Sequence, residues 1–272
     1  MNIFYKPSGP AKEYADDPIM RTEGWAANLY QGCLHGCGYC YVPDTTFWRC
    51  KGMDRRRLFH SEAIPRKNIL KHLEADCRKC KGMKEPVFLS FTSDLYQPFQ
   101  KPEHDITREA LLLFEKYDIK VTILTKGGQR AERDFDIIAR NGWKFGTTIT
   151  GTDRKFEPNA APVDERMWFI EKAHDLGIYT WISMEPVIDT GEALYCMFRL
   201  TESDNVDFWK VGKLNHGKKL GQPYQSLEST TNWSAFLSCV ENLIPKEKLL
   251  IKHNLEAQRS AGRNAVNQLP LL

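Results

Sequence analysis

The sequence has no apolar run approaching the roughly 18 to 20 residues that span a bilayer. Its first residues, Met1-Asn2-Ile3-Phe4-Tyr5-Lys6-Pro7, lack the apolar core of a signal peptide. A membrane protein or a secreted one is therefore not expected, and a cytoplasmic one is. Neither sign of charge is in excess, since 38 Lys and Arg face 35 Asp and Glu for a net charge of +3. So weak a field gives no reason by itself to expect a polyanionic partner. What the sequence does have is cysteine. Eight thiols in 272 residues, in a reducing compartment, point to metal binding or redox work rather than to a disulfide framework.

The length and an apolar content of 42% suffice for one sizeable core. From about residue 86, short apolar runs alternate with helix-like stretches, the pattern of repeated βα units around a parallel sheet. The runs are Val87 to Phe91, Lys120 to Leu124, Phe145 to Thr150, Tyr179 to Met184 and Val206 to Val211, with Trp25 to Leu29 as a first strand. Between them helices are predicted over Asp105 to Tyr117, Ala131 to Arg140, Val163 to Leu176 and Glu192 to Leu200, two of them ending just before Gly142 and Gly177. Six parallel strands can curl into a partial barrel or lie as an open doubly wound sheet, and periodicity does not separate these. In either, the active face is at the strand C-terminal ends. Thr92-Ser93-Asp94, Thr125-Lys126, Thr147-Thr148, Ser183, Glu185, Lys210 and Lys213 follow strands in this way, although each alone also reads as a turn or capping residue. Residues 41 to 85 read as an insertion after the first strand, and the segment from Ala261 reads as a loosely packed tail.

The segment Gln31-Gly32-Cys33-Leu34-His35-Gly36-Cys37-Gly38-Tyr39-Cys40-Tyr41 sets three thiols within eight residues after a strand. Soft thiolates select iron-sulfur clusters, zinc or copper(I) over hard cations, and the loop's glycines let backbone wrap closely around a bulky group. Three ligands on a four-iron cube leave one iron open, whereas a ferredoxin run saturates it with four. Two other arrangements stay open: zinc with His35 or Cys50 as fourth ligand, and a saturated carrier cluster with Cys50.

The C-x3-C-x2-C spacing of Cys33, Cys37 and Cys40, with Tyr39 before the last cysteine, resembles the radical S-adenosylmethionine (SAM) enzymes. Within them the chain is similar to the spore photoproduct lyase group and its DNA repair photolyase-like relatives. Asn28 through Tyr41, Ser90 through Pro98 and Thr122 through Lys126 carry that likeness, and Trp181 through Val187 with Lys210 through Asn215 look like the broader relatives. The resemblance implies a partial (β/α)6 TIM-type barrel over residues 25–255, an N-terminal extension over 1–24 and a C-terminal tail over 256–272. It implies a [4Fe-4S] cluster on Cys33, Cys37 and Cys40, SAM on the open iron, and a reductant such as flavodoxin or ferredoxin. Ser93 and Lys126 fall where the lyases touch the amino acid part of SAM, and Tyr39 where they meet the adenine. Thr92, Asp94, Thr148 and Ser183 complete the expected cofactor wall, while Tyr41, Lys126 and Glu185 make the expected catalytic set. One departure stands out: the lyases carry a hydrogen-donating cysteine directly before Thr-Ser-Asp, and here that position is Phe91. Cys196 and Cys239 are the alternative hydrogen donors.

Cys77-Arg78-Lys79-Cys80, with Cys50 and with His60 or His72, is a candidate for a structural zinc. The same insertion mixes basic residues such as Arg55, Arg56 and Arg57 with Phe47, Trp48 and Phe59, a composition suited to phosphates and stacked bases but diluted by Asp54, Glu62 and Glu74. The expected substrate is a nucleic acid or nucleotide. The alternatives are a peptide or small metabolite under the same chemistry, or a non-catalytic electron carrier.

Overall fold

The structure is a computed structural model that describes residues 2–15, 23–46, 54–214 and 231–266. Phe47, Trp48, Cys50 and Asn215 lie outside the described residues.

Seven strands form one parallel sheet among the described residues: β1 (Trp25–Ala27), β4 (Val87–Leu89), β5 (Val121–Thr125), β6 (Lys144–Thr148), β7 (Tyr179–Val187), β8 (Phe208–Lys213) and β9 (Leu249–Ile251). Two short strands, β2 (Tyr30–Gln31) and β3 (Ile64–Pro65), pair separately and antiparallel. The seven lie side by side in chain order. A doubly wound sheet would reverse its order at a switch point; strictly sequential winding curls instead, and the sheet is a half-barrel. The sequence reading expected six strands. β9 escaped it because three residues of Leu-Leu-Ile carry no period and follow no long apolar run.

The helices are α1 (Lys12–Ala15), α2 (Val42–Thr46), α3 (Arg55–Phe59), α4 (Ile69–Lys79), α5 (Thr107–Lys116), α6 (Phe135–Arg140), α7 (Val163–Asp175), α8 (Thr190–Glu202), α9 (Trp233–Leu243) and α10 (His253–Val266). α5 buries Ala110, Leu111 and Phe114, three and four residues apart, against the sheet. α8 starts on Asp189, whose carboxylate accepts from the Glu192 N–H at 2.9 Å. α7 ends before Gly177, whose φ of +75° closes the helix as only glycine does without strain. None is long and apolar enough to cross a membrane.

The stretch 41–85 holds more than an insertion. Ile69, Leu73 and Cys77 lie four residues apart and are buried along α4, which is the crossover helix from β1 to β4. α10 likewise continues through 261–266, where a loose tail was expected.

The N-terminal segment spans the open side of the half-barrel. Tyr5 bridges antiparallel to Ala26 on β1, and Phe4 stacks on Phe114 at 5.8 Å. Eight residues after Tyr5, Glu13 reaches the opposite edge: its carbonyl accepts from Lys210 Nζ at 3.0 Å, and its carboxylate lies 3.6 Å from Lys252 Nζ. Ala15 then packs with Phe88, Trp181 and Phe208 on the concave face.

Candidate active site

The cysteine loop is held from three sides. Gly32 takes a φ of +77°, and a side chain there would collide with the Glu62 carbonyl, so the turn out of β2 requires glycine. From α3, the Phe59 carbonyl accepts from Cys33 N–H at 3.0 Å, and His60 Nδ1 lies 2.8 Å from the Cys33 carbonyl. From the loop before α7, the Phe156 carbonyl accepts from Gly38 N–H at 3.0 Å, and Asn159 Nδ2 donates to the Leu34 carbonyl at 2.9 Å. From beyond β4, Gln97 Oε1 accepts from Leu34 N–H at 2.6 Å.

Held in this way, the loop forms one wall of a cavity of about 390 Å³ at the strand C-terminal ends. Cys33, Cys37 and Cys40 all line it, as do Tyr39, Tyr41, Thr92, Ser93, Asp94, Lys126, Thr148 and Glu185. Ser183 does not; it is buried within β7. Burial pushes the three thiols up, Cys37 to about 12, so without metal they stay protonated. Thiols in that state release protons when a soft metal binds. Among the described residues no three His, Cys, Asp or Glu side chains converge on a single ion. The loop therefore shows no zinc site of the kind His35 would complete, and His35 instead places Nδ1 3.5 Å from Asp94 Oδ2. The zinc expected at Cys77 and Cys80 is also not supported, because Cys77 faces the core from α4. Neither Cys196, buried in α8, nor the exposed Cys239 lines the cavity, so neither stands ready as a hydrogen donor.

The strand-end polar groups divide by what already occupies them. Both Asp94 oxygens are engaged, by Thr125 Oγ1 at 2.6 Å, Tyr96 N–H at 2.8 Å and Lys126 N–H at 2.9 Å, so this residue fixes the position of Lys126. Ser93 donates to the Gly32 carbonyl at 2.6 Å and accepts from Gln97 Nε2 at 2.9 Å. Thr92 lines the cavity, and its Oγ1 is buried with no hydrogen-bond partner among the described residues. The Tyr41 hydroxyl donates to the Phe91 carbonyl at 3.4 Å across the mouth.

Behind Tyr39 lies a charge network that the sequence reading missed. Glu157 accepts from the Tyr39 hydroxyl and from Arg166 Nη2 at 2.5 Å, and lies 4.0 Å from Lys126 Nζ. Arg166 also donates to the Thr148 carbonyl at 2.6 Å. Lys126 sits over the Tyr39 ring at 5.6 Å. Burial alone would raise the Glu157 carboxyl, but Arg166, Lys126 and the Tyr39 hydroxyl reverse this and hold it below the usual range. Burial likewise pulls Lys126 down, and Cys37, once a thiolate, together with Glu157 more than restores it, so its ammonium stays charged. Lys252, 2% exposed, completes the far end of the cavity against Glu185.

His35 makes the apo-protein sensitive to acid. Burial first, then the nearby cations Lys126, Arg130 and Arg166, outweigh Asp94 and lower its imidazole to about 4. Because the folded pKa lies below the unfolded one, stability is complete above about 6.5 and is lost as pH falls towards 4. The metal-free protein should therefore lose about 3 kcal/mol over that window, read from urea midpoints, and His35→Gln should flatten the profile. Parallel profiles for the two proteins would refute the assignment.

The chain belongs to the radical SAM superfamily, whose family model matches residues 27–192. It is therefore an enzyme of that superfamily, and the electron-carrier alternative falls. Among curated proteins it is 23% identical to an uncharacterized protein of Methanocaldococcus jannaschii, over 84% of this chain and 88% of the relative. An uncharacterized protein of Acidianus two-tailed virus is 26% identical over 68% of this chain and 60% of its own length. Among solved structures, a variant of spore photoproduct lyase with bound AdoMet and dinucleoside spore photoproduct matches with a TM-score of 0.60 at 15% identity, covering 85% of this chain and 76% of the lyase. Streptococcus suis SuiB bound to S-adenosylmethionine matches with a TM-score of 0.53 at 13% identity, covering 83% of this chain and 49% of SuiB. At such identities these two likenesses speak for the fold.

Proposed function

We propose that Cys33, Cys37 and Cys40 hold a [4Fe-4S] cluster, that SAM binds beside it in the same cavity, and that the enzyme acts on a nucleic acid or nucleotide. The observation that carries this is the shared cavity: three thiols on one wall, with the charged Lys126 and the Tyr39 ring beside them. The donor set fits, since soft thiolates suit iron-sulfur and three of them leave one iron without a protein ligand. When bound, the cluster and SAM supply reductive cleavage of the sulfonium to methionine and a 5'-deoxyadenosyl radical, with an electron from a flavodoxin- or ferredoxin-type donor.

The chain's own groups do the positioning. Lys126 offers an ammonium to the SAM carboxylate, held in place by its backbone bond to Asp94 and its neighbour Glu157. Tyr39 offers an aromatic face to the adenine, its hydroxyl fixed by Glu157. Thr92, Ser93 and Thr148 supply polar wall, and the N-terminal segment narrows the open side and excludes water. Replacing Lys126 by Ala should weaken SAM binding by about 10- to 100-fold, the worth of one charged hydrogen bond, with iron content unchanged. Equal affinity by equilibrium dialysis would remove Lys126 from the site.

The substrate reading draws on two features. The fold neighbour that the chain covers most fully among those described above, spore photoproduct lyase, is solved with a dinucleoside, whereas half of SuiB, solved with a precursor peptide, has no counterpart here. Arg55, Arg56 and Arg57 also sit on α3, directly behind the cysteine loop. A peptide substrate is the second reading, and salt separates the two. Binding of a single-stranded oligonucleotide that weakens steeply between low and moderate salt supports the first, and no binding at low salt removes it.

A further inference from the structure

A bulge in β7 and a glycine in β8 meet, beside the end of β9, at one ion pair. β7 carries one residue more than β8, since Met184 is level with Val211 and Val187 with Lys213, so Glu185 lies in a bulge. Bulges next to active sites re-aim a side chain. β8 has glycine at position 212, where a Cβ would come within 2.9 Å of Glu185 Cδ and 3.2 Å of Lys252 Cδ. Glycine inside a strand marks a close approach, and here it clears the floor for both side chains. Lys252 directly follows β9, its N–H donating to the Val211 carbonyl at 2.8 Å. Its Nζ then lies 3.1 and 3.3 Å from the two Glu185 oxygens.

The pair lines the cavity, with only 2% and 8% of the two side chains exposed. Buried ion pairs add little net stability, so stability alone does not account for one set into the cavity wall. Glu13 also approaches Lys252, at 3.6 Å, which ties the N-terminal segment to the ammonium, and Pro186, with no N–H for the ladder, sits in the bulge beside Glu185.

We infer that Glu185 and Lys252 read the edge of an unpaired lactam base, thymine, uracil or guanine, an assignment that rests on the nucleic-acid reading above. A carboxylate only accepts and an ammonium only donates. Side by side they match a ring N–H next to a C=O, both pointing the same way. A trans peptide group turns its N–H and C=O in opposite directions and does not fit both. Adenine and cytosine also set a donor beside an acceptor, but theirs is an exocyclic amine with a ring nitrogen, whereas the lactam bases offer the ammonium a carbonyl oxygen, an acceptor that Lys takes on guanine O6. The edge read is the one used in pairing, so the base must be out of a duplex when bound.

The test uses reconstituted holoprotein with SAM and compares binding of oligo-dT with oligo-dT methylated at N3, which keeps every phosphate contact. Methylation should weaken binding by about tenfold or more in the wild type, the cost of buried polar groups left unpaired. In Lys252→Met and Glu185→Gln, each checked for iron content and circular dichroism, the same methylation should change affinity by less than about twofold, because the coupled partner is gone. Oligo-dT that binds with the same methylation effect in all three proteins overturns the pair and leaves the nucleic-acid reading standing. Failure of every oligonucleotide to bind overturns both.

Discussion

Replacing Glu157 by Ala should destabilise the protein by about 3 to 5 kcal/mol. The carboxylate is 4% exposed and answers Arg166, 2% exposed, at 2.5 Å, with Lys126 and the Tyr39 hydroxyl on its other oxygen. Removing it leaves two cations facing each other in a dry interior and the hydroxyl without an acceptor. Asn159 lies in the same segment and backs the cysteine loop, so the damage extends to the cluster wall. Glu157→Gln keeps one acceptor oxygen and turns the other into a donor, filling the same space without the charge, and should lose less, about 1 to 3 kcal/mol. Denaturant midpoints of the cluster-free proteins decide this, and an Ala variant within 1 kcal/mol of wild type would mean that Arg166 and Lys126 find other partners.

Replacing Cys37 by Ala should abolish stable iron incorporation and, with it, any cleavage of SAM. Cys37 is the buried member of the three thiols and lies at the middle of the loop, while Cys33 and Cys40 are partly exposed. With two thiolates left, the cube would have lost a third of its protein ligands, and the nearby His35 and Asp94 already face each other at 3.5 Å. Iron and sulfide analysis after anaerobic reconstitution measures the loss. Full iron content in the variant would move the third ligand elsewhere on the chain.

The loop itself was legible because its information is local: three cysteines, their spacing and the glycines between them lie within a few residues of one another. The order of βα units was legible for the same reason, since period-two and period-3.6 patterns need no knowledge of distant partners. What escaped is what depends on tertiary placement. Glu157, Arg166 and Lys252 are charged residues in sequence terms, and charged residues default to the surface; only the loop before α7 closing on the cysteines, and β9 closing beside β8, bury them. The helix α4 was hidden by its own cysteines, which drew attention as metal ligands when Cys77 is one of the apolar positions of the helix. Ser183 errs in the opposite way. Its place at a strand end suggested a part in the site, and strand pleat turns it into the core, whereas Cys196 is buried on its helix as its helix-like context implied.

The measurement that tests the account most directly is to reconstitute the protein anaerobically, reduce it, add SAM and separate the products by chromatography. The account predicts 5'-deoxyadenosine and methionine from the wild type and neither from Cys37→Ala. An intact, reducible cluster that yields no 5'-deoxyadenosine, with or without oligonucleotide present, would contradict it.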